Sequence, residues 1–312
     1  MSTSFAEALE AALHSIPEGR VATCGAIARA LGDVRAARAV WTWIGDHPLS
    51  PGGHRAVRAD GTPVRPDAPG RLRAEGARLR AGRVPADRFV EKIEGIPLLA
   101  RLRALQEEAA ARVSVEDHFR TSEIVTGVDA AYVGDIAYVV AASYDAGVDP
   151  IEVVVSKVAI DFPYIPTYLA FRELPAIEAA VRKLRYTPDV LLIDGHGRLH
   201  PARFGVACHA GVVLDLPTIG VAKQPLEGHV GGPARGDTRP VRIDGRIEGF
   251  AWTPPGRSTP LYVSPGHRVS AASALTIVRR MTRHLAPEPL RVADAIAKKR
   301  KDEEKRETGS EM

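Results

Sequence analysis

The chain has 312 residues, a formal net charge of +4 at pH 7 and 45% apolar residues, and its length exceeds the ~100 to 200 residues of one ordinary domain, so two domains are expected. It holds no run of ~20 apolar residues, and the N-terminus MSTSFAEALE lacks the basic-then-apolar pattern of a secretory signal, which argues against a membrane partner and for a cytoplasmic location. Cys24 and Cys208 are its only cysteines, too few and too far apart for a disulfide framework or a cysteine-rich zinc module.

The charge is uneven: residues 1–95 hold 14 Lys/Arg against 11 Asp/Glu, whereas residues 96–297 hold 22 against 22. Of the 42 basic residues 34 are arginine, which suits bidentate recognition of phosphate and guanine.

In chain order, residues 5–14 and 22–45 carry helical apolar spacing, and Gly32-Asp33 breaks the second stretch into two short helices, so TCGAIARALGDVRAARAVWTWI reads as helix, tight turn, helix. Trp41 and Trp43 are two apart and cannot share one helix face; one is expected in the core. A Pro/Gly/Arg-rich stretch from Pro48 to Arg88 shows little periodicity, and Glu91 to Gly95 reads as a linker. A helix near 97–112 opens the second domain. The runs EIVTGVDAAYV, DIAYVVAASYD and PIEVVVSKVAIDF follow, joined by short connections that predict an antiparallel meander. A helix at 168–184, a buried strand DVLLID, a helix around 204–214, a strand ending at GVAK, strands near 239–252, the run PLYVS and a helix at 270–284 complete the domain. Three antiparallel strands followed by alternating helix and strand is the order of an α/β, ribonuclease-H-like mixed sheet. The tail from 298 to 312 has mixed charge and no apolar face and is expected to be disordered.

Ligands of open α/β sheets gather at the carboxyl ends of strands. Asp129 closes EIVTGVD, Asp194 closes DVLLID, and Glu173 lies on the helix between them. Three acids from separate elements suit a hard cation that activates water on a phosphodiester. Taken singly, each has an ordinary role as a strand-end residue, a turn residue or half of a helix ion pair. A zinc cluster of His196, His200 and His209 is disfavoured, because Gly195, Gly197 and Pro201 deny that segment the helix its spacing would need. Cys208 beside His209 reads as a buried thiol rather than a nucleophile with its base.

The strings GVDAAY, PYIPTYLAFRE, DGHGRLHPARFG, GVAK and PLYVSPGHRVS, in this order, resemble the endonuclease V family over roughly residues 98–294. The resemblance implies that Asp129, Asp194 and Glu173 bind Mg²⁺, with Mn²⁺ as a substitute. It also implies that His267 stands near the metal, that Lys223 neutralises the scissile phosphate, and that His200 lines the site. The segment Pro163, Tyr164, Ile165 and Pro166 matches the family's wedge, which enters the duplex beside the lesion, with Tyr164 able to stack in the vacated space.

Residues 5–90, through IPEGRVATCGAIARALG, RAARAVW and GGHRAV, resemble the helix-turn-helix/winged-helix-like DNA-binding domain of O6-alkylguanine-DNA alkyltransferases and alkyltransferase-like proteins. Gly53 stands at the nucleophilic cysteine position, Cys24 replaces the family's tyrosine, and Arg38 matches the arginine that fills the duplex after base extrusion. With Arg55, these residues mark the lesion-binding face. No thiolate flanks His54, so alkyl transfer is not expected. The expectation is a two-part DNA-repair endonuclease, 1–95 binding alkylated and 96–297 cleaving deaminated DNA. An inosine-specific ribonuclease and a non-catalytic alkylguanine sensor remain as alternatives.

Overall fold

In a computed structural model, which describes residues 3–119, 121–231 and 236–309, the chain forms two units: Met1–Leu105 with Asp161–Tyr168, and Gln106–Ile160 with Leu169–Met312. The first helix, α1 (Phe5–His14), starts at a capping box in which the Ser4 hydroxyl accepts the Glu7 N–H and the Glu7 carboxylate accepts the Ser4 N–H. A short strand, β1 (Ala22–Thr23), leads into α2 (Cys24–Ala30), which Thr23 caps. Gly32, at φ 101°, and Asp33, whose carboxylate accepts the Arg35 N–H, stop this helix and turn the chain into α3 (Ala37–Asp46). The expected helix-turn-helix is therefore present.

Trp43 packs edge-on against Phe5 with centroids 5.5 Å apart, while Trp41 is exposed with the Arg58 guanidinium over its ring. The strand β2 (Ala56–Val57) pairs in parallel with β1. The stretch that reads as aperiodic holds a further helix, α4 (Ala68–Ala74), because Ala68 and Leu72 close a small core with Val21, Val57 and Val84. The next helix, α5 (Leu98–Ala110), contains residues of both units.

The second unit is a nine-stranded mixed sheet. Strands β3 (Val125–Val133), β4 (Ile136–Tyr144) and β5 (Glu152–Ala159) form the expected meander. After α6 (Leu169–Val181), β6 (Val190–Asp194) pairs in parallel with β3; after α7 (Val206–Leu214), β7 (Thr218–Ala222) pairs in parallel with β6. The sheet continues through β8 (His229–Val230), β9 (Thr238–Ile243), β10 (Arg246–Trp252) and β11 (Leu261–His267), with order β5-β4-β3-β6-β7-β11-β10-β9-β8. Helices α6 and α7 cover one face, where Ile177, Ala180 and Ala207 meet Val128, Val139 and Ile193. The other face is covered by α8 (Ala271–Arg280) and α9 (Glu288–Gly309), which bring Val278, Leu290 and Ala293 onto Val125, Leu192 and Val263.

The charged tail departs from expectation, since α9 is helical through Gly309. Its first half buries Leu290, Ala293 and Ala297, and its second half is supported by the Lys298–Asp294, Lys299–Glu303 and Arg300–Glu303 pairs and by Lys157–Glu304 at 2.9 Å. Residues 310–312 of that tail lie outside the described residues. No helix among the described residues is long and apolar enough to cross a membrane.

Candidate active site

Parallel pairing sets β3 and β6 in register, with Val128 opposite Ile193, so Asp129 and Asp194 come level on neighbouring strands. Glu173, in the first turns of α6, completes the group: it feels the charges of Asp129 and Asp194, and Asp129 feels that of Asp194. A fourth acid, Asp294 on α9, lies within hydrogen-bonding reach of the Asp129 carboxyl. Gly127 makes this approach possible: a Cβ there would overlap the backbone of Pro289 and Leu290, so α9 lies directly on β3 two residues from Asp129.

Burial, then the Asp194 charge, push Asp129 up to about 8; burial, then Asp129 and Asp194, push Glu173 up to about 8. Asp294 is held below the usual carboxylate range, because the Lys298 ammonium and the Asp129 hydrogen bond outweigh its burial. Across from the acids, Lys223, just past β7, reaches Asp194 Oδ2 at 2.5 Å. Burial works against its charge, but the Asp194 carboxylate outweighs it and raises its pKa. On the Glu173 side, Arg172 lies 4.3 Å over the Tyr132 ring, and burial and the Glu173 charge raise the Tyr132 phenol.

The site therefore concentrates carboxylate oxygens with a single ammonium on Asp194. An all-oxygen, charge-rich donor set fits a hard divalent cation, which would remove the repulsion now expressed as raised pKa values. No three His, Cys, Asp or Glu side chains among the described residues already close on one point at metal-ligand distance; Lys223 holds the Asp194 oxygen.

His267 departs from its expected place beside the acids. It ends β11, which runs antiparallel to β7, and pairs with Thr218, whereas Asp194 pairs with Val221. The offset is about 10 Å along the strand, with β7 between. Its Nδ1 accepts the Ser114 N–H at 3.3 Å, and burial and the Arg268 charge lower its pKa. His200, also buried, uses Nδ1 to accept the Ala202 N–H at 3.2 Å and so ties the 200–203 turn. His196 and His209 are held at about 4 by burial. Cys208 is fully buried and pushed up to about 12, as a packing thiol should be.

In the first unit, the segment expected to form a wedge divides by burial: Tyr164 is 62% exposed, Pro166 is exposed, and Ile165 is fully buried. Ile165 is therefore an anchor rather than part of an intruding edge. Arg38 is exposed on α3. Arg55 is not free to meet DNA. Its guanidinium donates to Glu75 at 2.8 Å and to the Ile16 carbonyl at 2.8 Å. Glu75 also accepts from His54 Nε2 at 2.6 Å and from the Gly19 N–H at 3.0 Å. Burial opposes its charge, but these donors, Arg55 foremost, hold it at about 2. A Cβ on Gly53 would face the Arg65 side chain at 3.2 Å, and Cys24 is buried and pushed up to about 11. No reactive thiolate therefore serves this module among the described residues.

Residues 107–295 match the family model described as endonuclease V. The chain belongs to the endonuclease V family. It is 46% identical over 205 residues to the endonuclease V of Roseiflexus castenholzii, covering 64% of this chain and 91% of that one, and 42% identical over 203 residues to that of Thermofilum pendens, covering 64% and 87%. Among solved structures, endonuclease V from Streptomyces avermitilis superposes with a TM-score of 0.60 at 36% identity, covering 65% of this chain and 92% of that one. Ciona intestinalis endonuclease V, in complex with a 24mer DNA containing an inosine followed by a ribo-adenosine, gives 0.61 at 27% identity, covering 66% and 98%. Residues 4–82 match the DNA-binding domain of 6-O-methylguanine DNA methyltransferase. The protein is thus an endonuclease V with an N-terminal alkyltransferase-like DNA-binding domain, a nuclease of the DNA-repair class.

Asp294 is the residue that sequence reading misses. It stands alone among Leu290, Ala293 and Ala297 on the buried stripe of α9, and an acid inside an apolar stripe was the available signal.

Proposed function

We propose that this endonuclease V recognises hypoxanthine in DNA and hydrolyses the second phosphodiester on its 3′ side, leaving 3′-hydroxyl and 5′-phosphate ends. The observation that carries this reading is the convergence of Asp129 on β3, Asp194 at the end of β6, Glu173 on α6 and Asp294 on α9, with Lys223 beside Asp194. Asp129 and Asp194, with Glu173 and Asp294 directly or through water, would hold Mg²⁺, or Mn²⁺ in its place. Bound there, the cation supplies an activated water and charge for the departing oxygen. Lys223, released from Asp194, is placed to meet the scissile phosphate. Tyr164 and Pro166 provide the exposed edge that enters the duplex.

Residues 1–95 act as a lesion-binding module and residues 96–297 as the nuclease. Arg38 on the exposed face of α3 is the contact that fills the gap left by an extruded base. His267 and His200 serve as packing and turn residues. With Gly53 at the acceptor position, the module binds O6-alkylguanine without taking its alkyl group. The DNA in complex with the Ciona protein, with its ribo-adenosine after the inosine, supports a second reading in which inosine in RNA is also cut.

Labelled duplexes with a single hypoxanthine or O6-methylguanine, incubated with and without Mg²⁺, test these readings. A 5′-phosphate nick is expected on the hypoxanthine strand, only with the metal, and the protein mass is expected to stay unchanged after exposure to O6-methylguanine. An uncut hypoxanthine duplex in Mg²⁺ overturns the substrate assignment; a gained methyl group overturns the account of Gly53.

A further inference from the structure

The segment Asp161–Tyr168 belongs to the N-terminal unit, and its residues alternate between anchoring and presentation. Phe162, Ile165 and Tyr168 are 8%, 0% and 1% exposed, while Tyr164 is 62% exposed. Phe162 meets Phe5 of α1 edge-on at 6.0 Å, and Phe5 in turn carries Trp43 of α3. The C-terminal end of the segment is fastened by polar contacts. The Tyr168 hydroxyl donates to Asp33 Oδ2 at 2.8 Å, and Asp33 is the residue that caps the turn between α2 and α3. The Arg103 guanidinium lies 4.6 Å over the Tyr168 ring and donates to the Thr167 hydroxyl at 2.5 Å. Thr167 sits at φ 70°, a left-handed conformation that a β-branched residue keeps only where its surroundings hold it. Arg29, Arg35, Asp33, Arg103 and Tyr168 line an adjoining cavity of about 480 Å³, so the brace is bordered by open space rather than by a filled core.

We propose that the helix-turn-helix module sets the conformation of the loop carrying Tyr164 and Pro166, with Asp33 and Arg103 as positioning residues for lesion discrimination. This rests on the reading of that loop as the duplex-opening edge. A hydrogen bond to a carboxylate and a cation over a buried ring each fix an aromatic more firmly than packing alone. With Tyr168 and Thr167 fixed, the exposed Tyr164 is presented in one orientation, and the order of insertion into DNA is prepaid in the free protein. The alkyltransferase-like module then contributes selectivity as well as affinity.

The test compares full-length wild type with Tyr168→Phe, Arg103→Ala, Arg103→Lys and Tyr164→Ala. Tyr168→Phe removes only the hydroxyl that reaches Asp33, so it serves even where Arg103→Ala fails to fold. Each protein is assayed on a duplex with one hypoxanthine, on the undamaged duplex, and on a single-stranded oligonucleotide with one hypoxanthine, which needs no opening. Tyr168→Phe and Arg103→Ala are expected to lower kcat/KM about tenfold on the duplex and to leave the single strand within about twofold, with Arg103→Lys partly restored. Hydrogen exchange at the backbone amides of Ile165, Thr167 and Tyr168 is expected to quicken in the same variants. Equal losses on duplex and single strand would show a general structural role and overturn the proposal. A selective loss in Tyr164→Ala with none in Tyr168→Phe would leave the duplex-opening edge intact and remove the brace. No selective loss in Tyr164→Ala would remove both.

Discussion

Two charged clusters of this chain, one built around a single carboxylate and one of four, differ in what surrounds them. In the N-terminal unit, Glu75 collects donors from Arg55, His54 and the Gly19 N–H and is held at about 2. In the nuclease unit, Asp129, Glu173, Asp194 and Asp294 crowd together with Lys223 on Asp194, and Asp129 and Glu173 rise to about 8. The first cluster spends its charge on internal partners and so reads as structure. The second stores repulsion that folding does not relieve, which is what a site prepared for an external cation looks like.

The largest expected effect breaks this comparison at its acidic end. Asp129→Ala or Asp194→Ala is expected to lower cleavage by on the order of a thousandfold or more while leaving lesion binding largely intact, since on the proposed reading each removes a charge that holds the cation rather than a recognition surface. Asp294→Asn should give a smaller but clear loss, and His267→Ala should act through folding rather than through the metal. Single-turnover cleavage over a Mg²⁺ titration separates these: the acid variants should shift the metal requirement and His267→Ala should not. Near-wild-type cleavage by Asp129→Ala would dismantle the site.

Glu75→Gln makes the matching change in the other cluster, with the opposite consequence. It removes a charge that Arg55 and His54 need, so unfolding of the N-terminal unit should become easier by about 2 to 3 kcal/mol, with cleavage of single-stranded substrate retained. Denaturant melts followed by tryptophan fluorescence would report it, through Trp41 and Trp43 of α3. An unchanged midpoint would mean that the Glu75 network contributes nothing net.

The pH dependences should run in opposite directions. Asp129 and Glu173 hold more protons folded than unfolded, so their contribution to metal-free stability is lost as pH rises from their ordinary values near 4 to about 8. Glu75 holds fewer protons folded, so its contribution is present above 4.5 and lost as pH falls toward about 2. Melting of the metal-free protein should therefore show a downward slope toward alkaline pH, and Mg²⁺ at a hundredfold excess over Kd should offset the loss there by roughly 2.7 kcal/mol. Asp129→Asn should flatten the same slope without metal. A metal-free slope that Asp129→Asn leaves untouched would assign the titration elsewhere.

How far these clusters are legible in the sequence follows from where their residues lie. Asp194 ends its apolar strand run as expected, whereas β3 continues past Asp129 to Val133 because it stays paired with β4, and parallel pairing of β3 with β6 sets the two acids side by side. Asp294 lies far along the chain from Asp129 and meets it only because Gly127 admits α9 against β3, so the lone acid in the apolar stripe marks the residue but not its partner. The same helix hides its second half, since KKRKDEEKRE carries no apolar stripe and is held by ion pairs and by Lys157. The string SPGH points to His267 as an active-site residue, but strand direction decides: β11 runs antiparallel to β7 and delivers His267 away from the acids. In the N-terminal unit, the stop at Gly32-Asp33 is readable as a turn, whereas the use of Asp33 to hold Tyr168 depends on a segment from the middle of the chain.

The smallest expected effect concerns Arg38, which sharpens the contrast by testing a charge that neither cluster uses. It is exposed on α3, the second helix of the helix-turn-helix, and most of the excess of basic over acidic residues lies in residues 1–95. One arginine on a phosphate changes the logarithmic salt dependence of binding by ~0.9 and the affinity severalfold at moderate salt. Arg38→Ala should therefore flatten the salt slope by about one unit on any duplex. If the guanidinium also fills the gap left by an extruded base, the affinity loss should be larger for O6-methylguanine duplexes than for undamaged ones. Fluorescence anisotropy at several salt concentrations measures both quantities, and cleavage at saturating hypoxanthine duplex should stay unchanged because Asp129, Glu173, Asp194 and Asp294 are untouched. A uniform loss across duplexes would limit Arg38 to the phosphate backbone. An unchanged slope would take α3 off the DNA altogether, leaving the N-terminal unit to act through the loop that carries Tyr164 alone.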